Sequence, residues 1–183
     1  MGEGYYTEKR SKFLAFACHV ETVEEAMQIV AQYRKKYYDA RHCCYAYMLG
    51  PARDTFRAND DGEPSSTAGK PILGQINSHG LTDVLIVVVR YYGGVNLGTG
   101  GLIVAYRTAA DDAISKAKVV ERVVEEKITY TFTWPMMNGV MRVVKEMHPR
   151  IVSQDFDNTC SITLAIRKSK ADELRSRLAK LSF

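Results

Sequence analysis

Six consecutive apolar residues, Val84 to Val89, bounded by Asp83 and Arg90, limit this chain more than any other feature. The run falls far short of the roughly 20 residues that span a bilayer as a helix. Its β-branched content suits a strand, and a short apolar run without polar alternation is a buried one. Whatever fold forms must therefore build a sheet around this segment.

The neighbouring patterns supply the rest of that sheet. Phe13 to His19 predicts a strand, and Thr22-Val23-Glu24-Glu25 has the spacing of a capping box. The helix it opens places Val23, Ala26, Met27, Val30 and Ala31 on one side and ends in Arg34, Lys35 and Lys36, which suit the negative end of its dipole. Strands are predicted over Cys43 to Leu49 and Thr55 to Ala58, around the turn Gly50-Pro51-Ala52-Arg53. Leu102 to Ala117 predicts a helix with Leu102, Ala105, Tyr106, Ala109, Ala113 and Ile114 turned inward.

A boundary is expected between residues 118 and 126, and 183 residues suffice for two modest cores. Beyond it come a strand from Lys127 to Trp134, a helix opened by Pro135, strands over Ile151 to Asp155 and Ser161 to Arg167, and a helix from Lys170 to Leu181. That β-α-β-β-α order is a ferredoxin-like unit without its last strand. The expected class is α+β, with domains over 1–118 and 126–183, each a sheet covered by helices on one face.

Hydrophobic residues at 46% and charged residues at 25% are ordinary for a globular chain. The N-terminal stretch from Met1 to Lys12 carries five charged side chains and no apolar core, so a cytoplasmic address without membrane attachment is expected. Cys18, Cys43, Cys44 and Cys160 form no C-x-x-C pair and read as reduced, buried thiols. His42, Cys43 and Cys44 make a poor metal set, because adjacent strand residues point to opposite faces. No metal or cofactor is expected. The net charge of +4 permits contact with RNA or with an acidic protein without requiring either.

Two segments carry more chemistry than structure demands. In Asn59 to Pro71, Asp61-Gly62 and Pro64 favour turns, and Ser66 or Thr67 is placed to cap a short helix bearing Ile72, Leu73 and Ile76. This leaves Asp60, Asp61 and Glu63, with Lys70 nearby in sequence. Such a cluster would suit Mg²⁺ with substrate phosphates, or an acid and base pair. In Arg90 to Gly101, a glycine-rich link joins the buried strand to a helix, where open backbone N–H groups favour an anion. Thr99-Gly100 stands where a Walker loop has Lys-Ser/Thr, and G-x-G-x-x-G is absent. Arg90, Tyr91 and Tyr92 are residue types that hold phosphates and stack on bases. Close helix packing is an equally good reason for several of the glycines.

The same segments carry a resemblance. Residues 60 to 73, D-D-G-E-P-S-S-T-A-G-K-P-I-L, and 87 to 102, V-V-V-R-Y-Y-G-G-V-N-L-G-T-G-G-L, look like the twin signatures of the YigZ/IMPACT family. Arg10-Ser11-Lys12-Phe13 and Asp39-Ala40-Arg41-His42 extend the similarity over residues 9 to 117. The resemblance implies a first domain like the second domain of ribosomal protein S5, and a ferredoxin-like second domain similar to the last domain of elongation factor G. It also implies a link to translation, which eukaryotic members regulate through a partner protein during amino-acid starvation. Cys43 stands where many relatives have a second histidine, which weakens any paired-histidine site.

The reading that results is a translation-linked regulatory protein that binds RNA, the ribosome or a protein partner, and not an enzyme. Its expected phosphate-binding or nucleic-acid-binding residues are Arg41, His42, Lys70, Arg90, Tyr91, Tyr92, Gly98, Thr99, Gly100 and Gly101. The alternative is a Mg²⁺-dependent hydrolase or transferase acting on a phosphorylated substrate through Asp60, Asp61 and Glu63.

Overall fold

The computed structural model describes residues 1–181. The chain divides into two compact units, Met1–Val120 and a second that begins at Glu121.

In the first unit the strands are β1 (Gly2–Glu8), β2 (Ser11–His19), β3 (His42–Leu49), β4 (Thr55–Asn59) and β5 (Val84–Tyr91). They form one sheet in the order β1-β2-β5-β3-β4 with antiparallel pairing throughout. The apolar run is thus the central strand. Leu85 to Val89 are all at 0% exposure, and a fully buried side chain of this kind contributes roughly 1.5–3 kcal/mol.

That burial requires cover on both faces, which corrects the expectation of helices on one. Leu85, Val87 and Val89 pack with Ala26 and Val30 of α1 (Val23–Lys36). Ile86 and Val88 pack with Ile72 and Ile76 of α2 (Gly69–Ser78) and with Leu102, Ala105 and Ala109 of α3 (Gly98–Ser115). An apolar run without alternation is the mark of a strand buried from both sides.

Two further differences from the sequence reading matter to the site. β1 lies in a segment read only as charged. Its Gly2 and Gly4 face α3 so closely that a Cβ would lie 2.2 Å from the Ala113 carbonyl oxygen at Gly2, and 2.4 Å from the Ala113 nitrogen at Gly4. In addition, α3 starts at Gly98, four residues before Leu102. Gly98, Thr99, Gly100 and Gly101 therefore form the first turn of the helix and not a loop that precedes it.

The second unit runs β6 (Glu125–Phe132), a 3-10 turn (Trp134–Met136) containing Pro135, α4 (Met137–Met147), β7 (Arg150–Phe156), β8 (Cys160–Arg167) and α5 (Lys168–Ala179). Its antiparallel sheet has the order β6-β8-β7. Here one face is covered: Val140 and Val143 of α4 and Ala171, Leu174 and Leu178 of α5 share a core with Ile128, Phe132, Ile162, Leu164 and Ile166. Among the described residues no helix is long and apolar enough to cross a membrane.

Candidate functional site

At one end of the larger sheet β3 begins, β5 ends, and the loop after β4 folds back toward both. His42 and Phe13 flank Arg90 in the strand register. Arg90 follows Val88 on the α2 and α3 face and is 5% exposed. Nη1 of Arg90 donates to both carboxylate oxygens of Glu63, at 2.7 and 2.8 Å. The Tyr106 hydroxyl, from the third turn of α3, donates to Oε2 of Glu63. Nε2 of His42 stands 3.2 Å from Oε1, and Nδ1 of His42 is 2.7 Å from the Asp61 carbonyl oxygen. The Cys44 thiol completes the cluster, 3.1 Å from the Asp60 carbonyl oxygen and 3.4 Å from the Tyr106 hydroxyl.

Burial dominates the acid-base behaviour of Tyr106 and of the Cys43 and Cys44 thiols. It raises the Tyr106 phenol far above its ordinary range, with the Cys44 thiol and the Glu63 carboxylate adding to the effect. It also raises the Cys44 thiol well above 9.0, and pushes Cys43 up to about 11. Both groups stay protonated, so neither is an activated nucleophile.

The acidic loop is tied down as firmly. Oδ1 of Asp60 accepts the backbone N–H groups of Ala68 and Gly69, at 3.2 and 2.8 Å, and Oδ2 accepts that of Ser66, at 2.9 Å. Asp60 is therefore the cap of α2, a role expected of Ser66 or Thr67. Thr67 instead donates its hydroxyl to the Pro64 carbonyl at 2.6 Å. Asp61 accepts from the Cys43 backbone N–H at 2.7 Å and from Arg34 at 3.2 Å. Every carboxylate oxygen of Asp60, Asp61 and Glu63 thus meets a donor of the protein itself, and the three carboxylates face different partners.

An exposed layer lies outside this cluster. The Arg41 guanidinium sits 4.5 Å from the centre of the Tyr92 ring, and the Tyr92 hydroxyl donates to Asn96 Oδ1 at 3.1 Å. Arg90 lies 5.6 Å from the same ring, so the ring joins the buried cluster to the surface. Gly93 is pressed against the Lys9-Arg10 turn: a Cβ there would lie 2.2 Å from the Arg10 carbonyl carbon, and its N–H donates to Ser11 Oγ at 3.2 Å. Gly98, Thr99 and Gly100 are exposed at the start of α3, where no side chain caps the helix.

The two segments singled out in the sequence do meet, but not all their residues face solvent. Arg90 and His42 were expected to hold phosphate. Arg90 is instead engaged by the buried Glu63 carboxylate, and His42 is held between Glu63 and Asp61. Tyr91 points to the α1 face and donates its hydroxyl to Asp39 at 2.9 Å; burial and that carboxylate push it up to about 12. Arg41, Tyr92, Lys70, Gly98, Thr99 and Gly100 are exposed. Tyr106 was read only as core, although a phenol on an inward helix face needs a buried partner for its hydroxyl.

The pattern of the Impact N-terminal domain matches residues 9–114. The chain belongs to the IMPACT family. An IMPACT family member of Escherichia coli, YigZ, is 32% identical over 95% of this chain and 86% of its own length. Another, YvyE of Bacillus subtilis, is 35% identical over 80% of this chain and 71% of its own. A crystal structure described as a hypothetical protein aligns over 99% of this chain and 89% of that one, with a TM-score of 0.73 and 31% identity. The Impact match thus spans the buried cluster and the glycine-rich turn, and the alignments extend the likeness into the second unit.

Proposed function

We propose that this IMPACT family protein is a translation-linked regulator that binds single-stranded RNA at the end of the larger sheet, with Arg41 and Tyr92 as its outward contacts. The exposed Arg41 guanidinium, over the Tyr92 ring at 4.5 Å from its centre, carries this reading. Stacking on an aromatic face fixes the guanidinium plane and leaves its in-plane N–H groups for a phosphate. Lys70 on the first turn of α2 and the open first turn of α3 add positive potential on the same unit. The link to translation rests on the family likeness.

No observation favours the hydrolase reading, because the acidic loop caps α2 and clamps Arg90. The deciding measurement is RNA affinity as a function of salt. Each phosphate contact on a single strand contributes about 0.7 to the log-log slope. Arg41→Ala is expected to flatten the slope by about that amount and to weaken unrelated sequences alike. An unchanged slope in a folded Arg41→Ala variant overturns the assignment.

A further inference from the structure

The second unit holds a shallow, open cleft of about 390 Å³. Its lining is divided. Val123, Met147 and Ile166 give it apolar surface, and Arg150, Arg167 and Lys170 give it three cations. Glu125 is the one carboxylate in that lining, and it is 3.3 Å from Arg150. Lys170 leans toward Glu173 at 3.8 Å, an exposed pairing that offsets little. Arg167, which precedes α5, and Lys168 and Lys170 crowd the start of that helix, whose first turn holds no acidic residue. There the helix dipole is already positive. Mutual repulsion of these cations is relieved by an anion in the cleft.

We propose that this cleft binds a nucleotide, with its phosphate against Arg167 and Lys170 and its ring system against Val123, Met147 and Ile166. Inorganic phosphate alone leaves the apolar surface wet, and an apolar molecule alone adds no negative charge beside Arg167 and Lys170. A phosphate joined to a flat ring answers both. That chemistry is supplied either by a free nucleoside monophosphate or by one residue of an RNA strand. All the lining residues belong to the second unit, so the proposal does not rest on Arg41 or Tyr92.

The test is titration of the isotope-labelled full chain, followed by amide chemical shifts, with adenosine monophosphate, inorganic phosphate, adenosine and a short oligoadenylate. The monophosphate is expected to shift the amides of Val123 and of residues 167 to 171, and to bind about tenfold or more tighter than phosphate or adenosine. Arg167→Glu and Lys170→Glu are each expected to weaken it by about tenfold, since each reverses a charge at the phosphate. Both side chains are exposed, so the amide spectra of the variants should remain those of a folded chain; Lys170→Ala, with a smaller loss, serves if either reversal unfolds the unit. Oligoadenylate that saturates the shifts of Val123 and residues 167 to 171 at lower concentration than the monophosphate assigns the cleft to RNA, and the reverse order at those same amides assigns it to the free nucleotide. Shifts confined to the first unit, equal affinity for phosphate and monophosphate, or indifference to both charge reversals overturns the proposal.

Discussion

Arg90 and Glu63, 27 residues apart in the chain, meet in the interior of the first unit through one guanidinium nitrogen and both carboxylate oxygens, at 2.7 and 2.8 Å. The pair fastens the loop after β4 to the end of β5, and Tyr106 draws α3 into the same contact. Two segments that look like a catalytic loop and a phosphate loop are thereby one support, on which the exposed Arg41 and Tyr92 stand.

A buried pair of this kind is costly to break from one side, because the surviving charge stays in a poorly solvated place. Arg90→Ala and Glu63→Ala are each expected to lose about 3–5 kcal/mol in denaturant titrations. The double change Arg90→Met with Glu63→Leu should lose less than either single change. A single substitution costing under about 1 kcal/mol would show that water reaches the pair.

Asp60 is expected to matter through α2 and not through turnover. Asp60→Ala removes the acceptor for three backbone N–H groups and should cost about 0.5–2 kcal/mol or slightly more. Ser66→Ala should stay within about 0.5 kcal/mol, as its side chain does not cap the helix. Equal losses at the two positions would return the cap to Ser66.

How much of this was legible follows the distance over which each residue finds its partner. The helix α1 was readable because its signal is local: Thr22 Oγ accepts the Glu25 N–H at 3.1 Å, and the Glu25 carboxylate accepts the Glu21 N–H at 3.2 Å. The β-α-β-β-α order of the second unit was readable for the same reason. β1 was not, since Gly2 and Gly4 disfavour a strand by composition. Their justification lies in the backbone of α3, more than 100 residues later. In the site, residue types were visible but direction was not. Arg90 and Arg41 look alike in sequence, but Arg90 lies in the central strand with its side chain on the face of Glu63, whereas Arg41 precedes β3 and is exposed.

The buried thiols and phenols predict a loss of stability in alkali. Cys43 rises from 9.0 to about 11 on folding, chiefly through burial. A group whose pKa is higher in the folded state binds its proton more tightly there. Its contribution is complete below pH 9 and is lost as pH climbs toward 11. Tyr91, raised from 10.0 to about 12, extends the decline. Denaturant midpoints should therefore fall steadily above pH 9, and Cys43→Ala should shallow the first part of that fall. Thiol-directed reagents should leave Cys43 and Cys44 unmodified in the native protein at pH 8.

Gly4 and Gly94 should respond to alanine for different reasons. At Gly4 the new Cβ meets the Ala113 backbone at 2.4 Å, and such overpacking costs about 1–3 kcal/mol. At Gly94 there is open space, but φ is +89°, and the left-handed backbone alone costs about 1–2 kcal/mol. A larger loss at Gly94 than at Gly4 would mean that β1 and α3 move apart easily.

Gly100 separates the needs of the fold from those of a ligand. It lies inside the first turn of α3, its φ is not positive, and a Cβ there would touch nothing within 4 Å. Alanine stabilises an open helical position over glycine by about 0.5–1 kcal/mol. The fold alone therefore prefers alanine, in contrast to Gly98, whose φ of +74° opposes it. If RNA phosphates approach the bare backbone at this turn, Gly100→Ala should raise the denaturation midpoint and at the same time weaken RNA binding. A general disturbance of the domain would lower both. Binding at the parent level in the stabilised variant would remove the first turn of α3 from the RNA surface and leave Arg41 and Tyr92 to carry the contact.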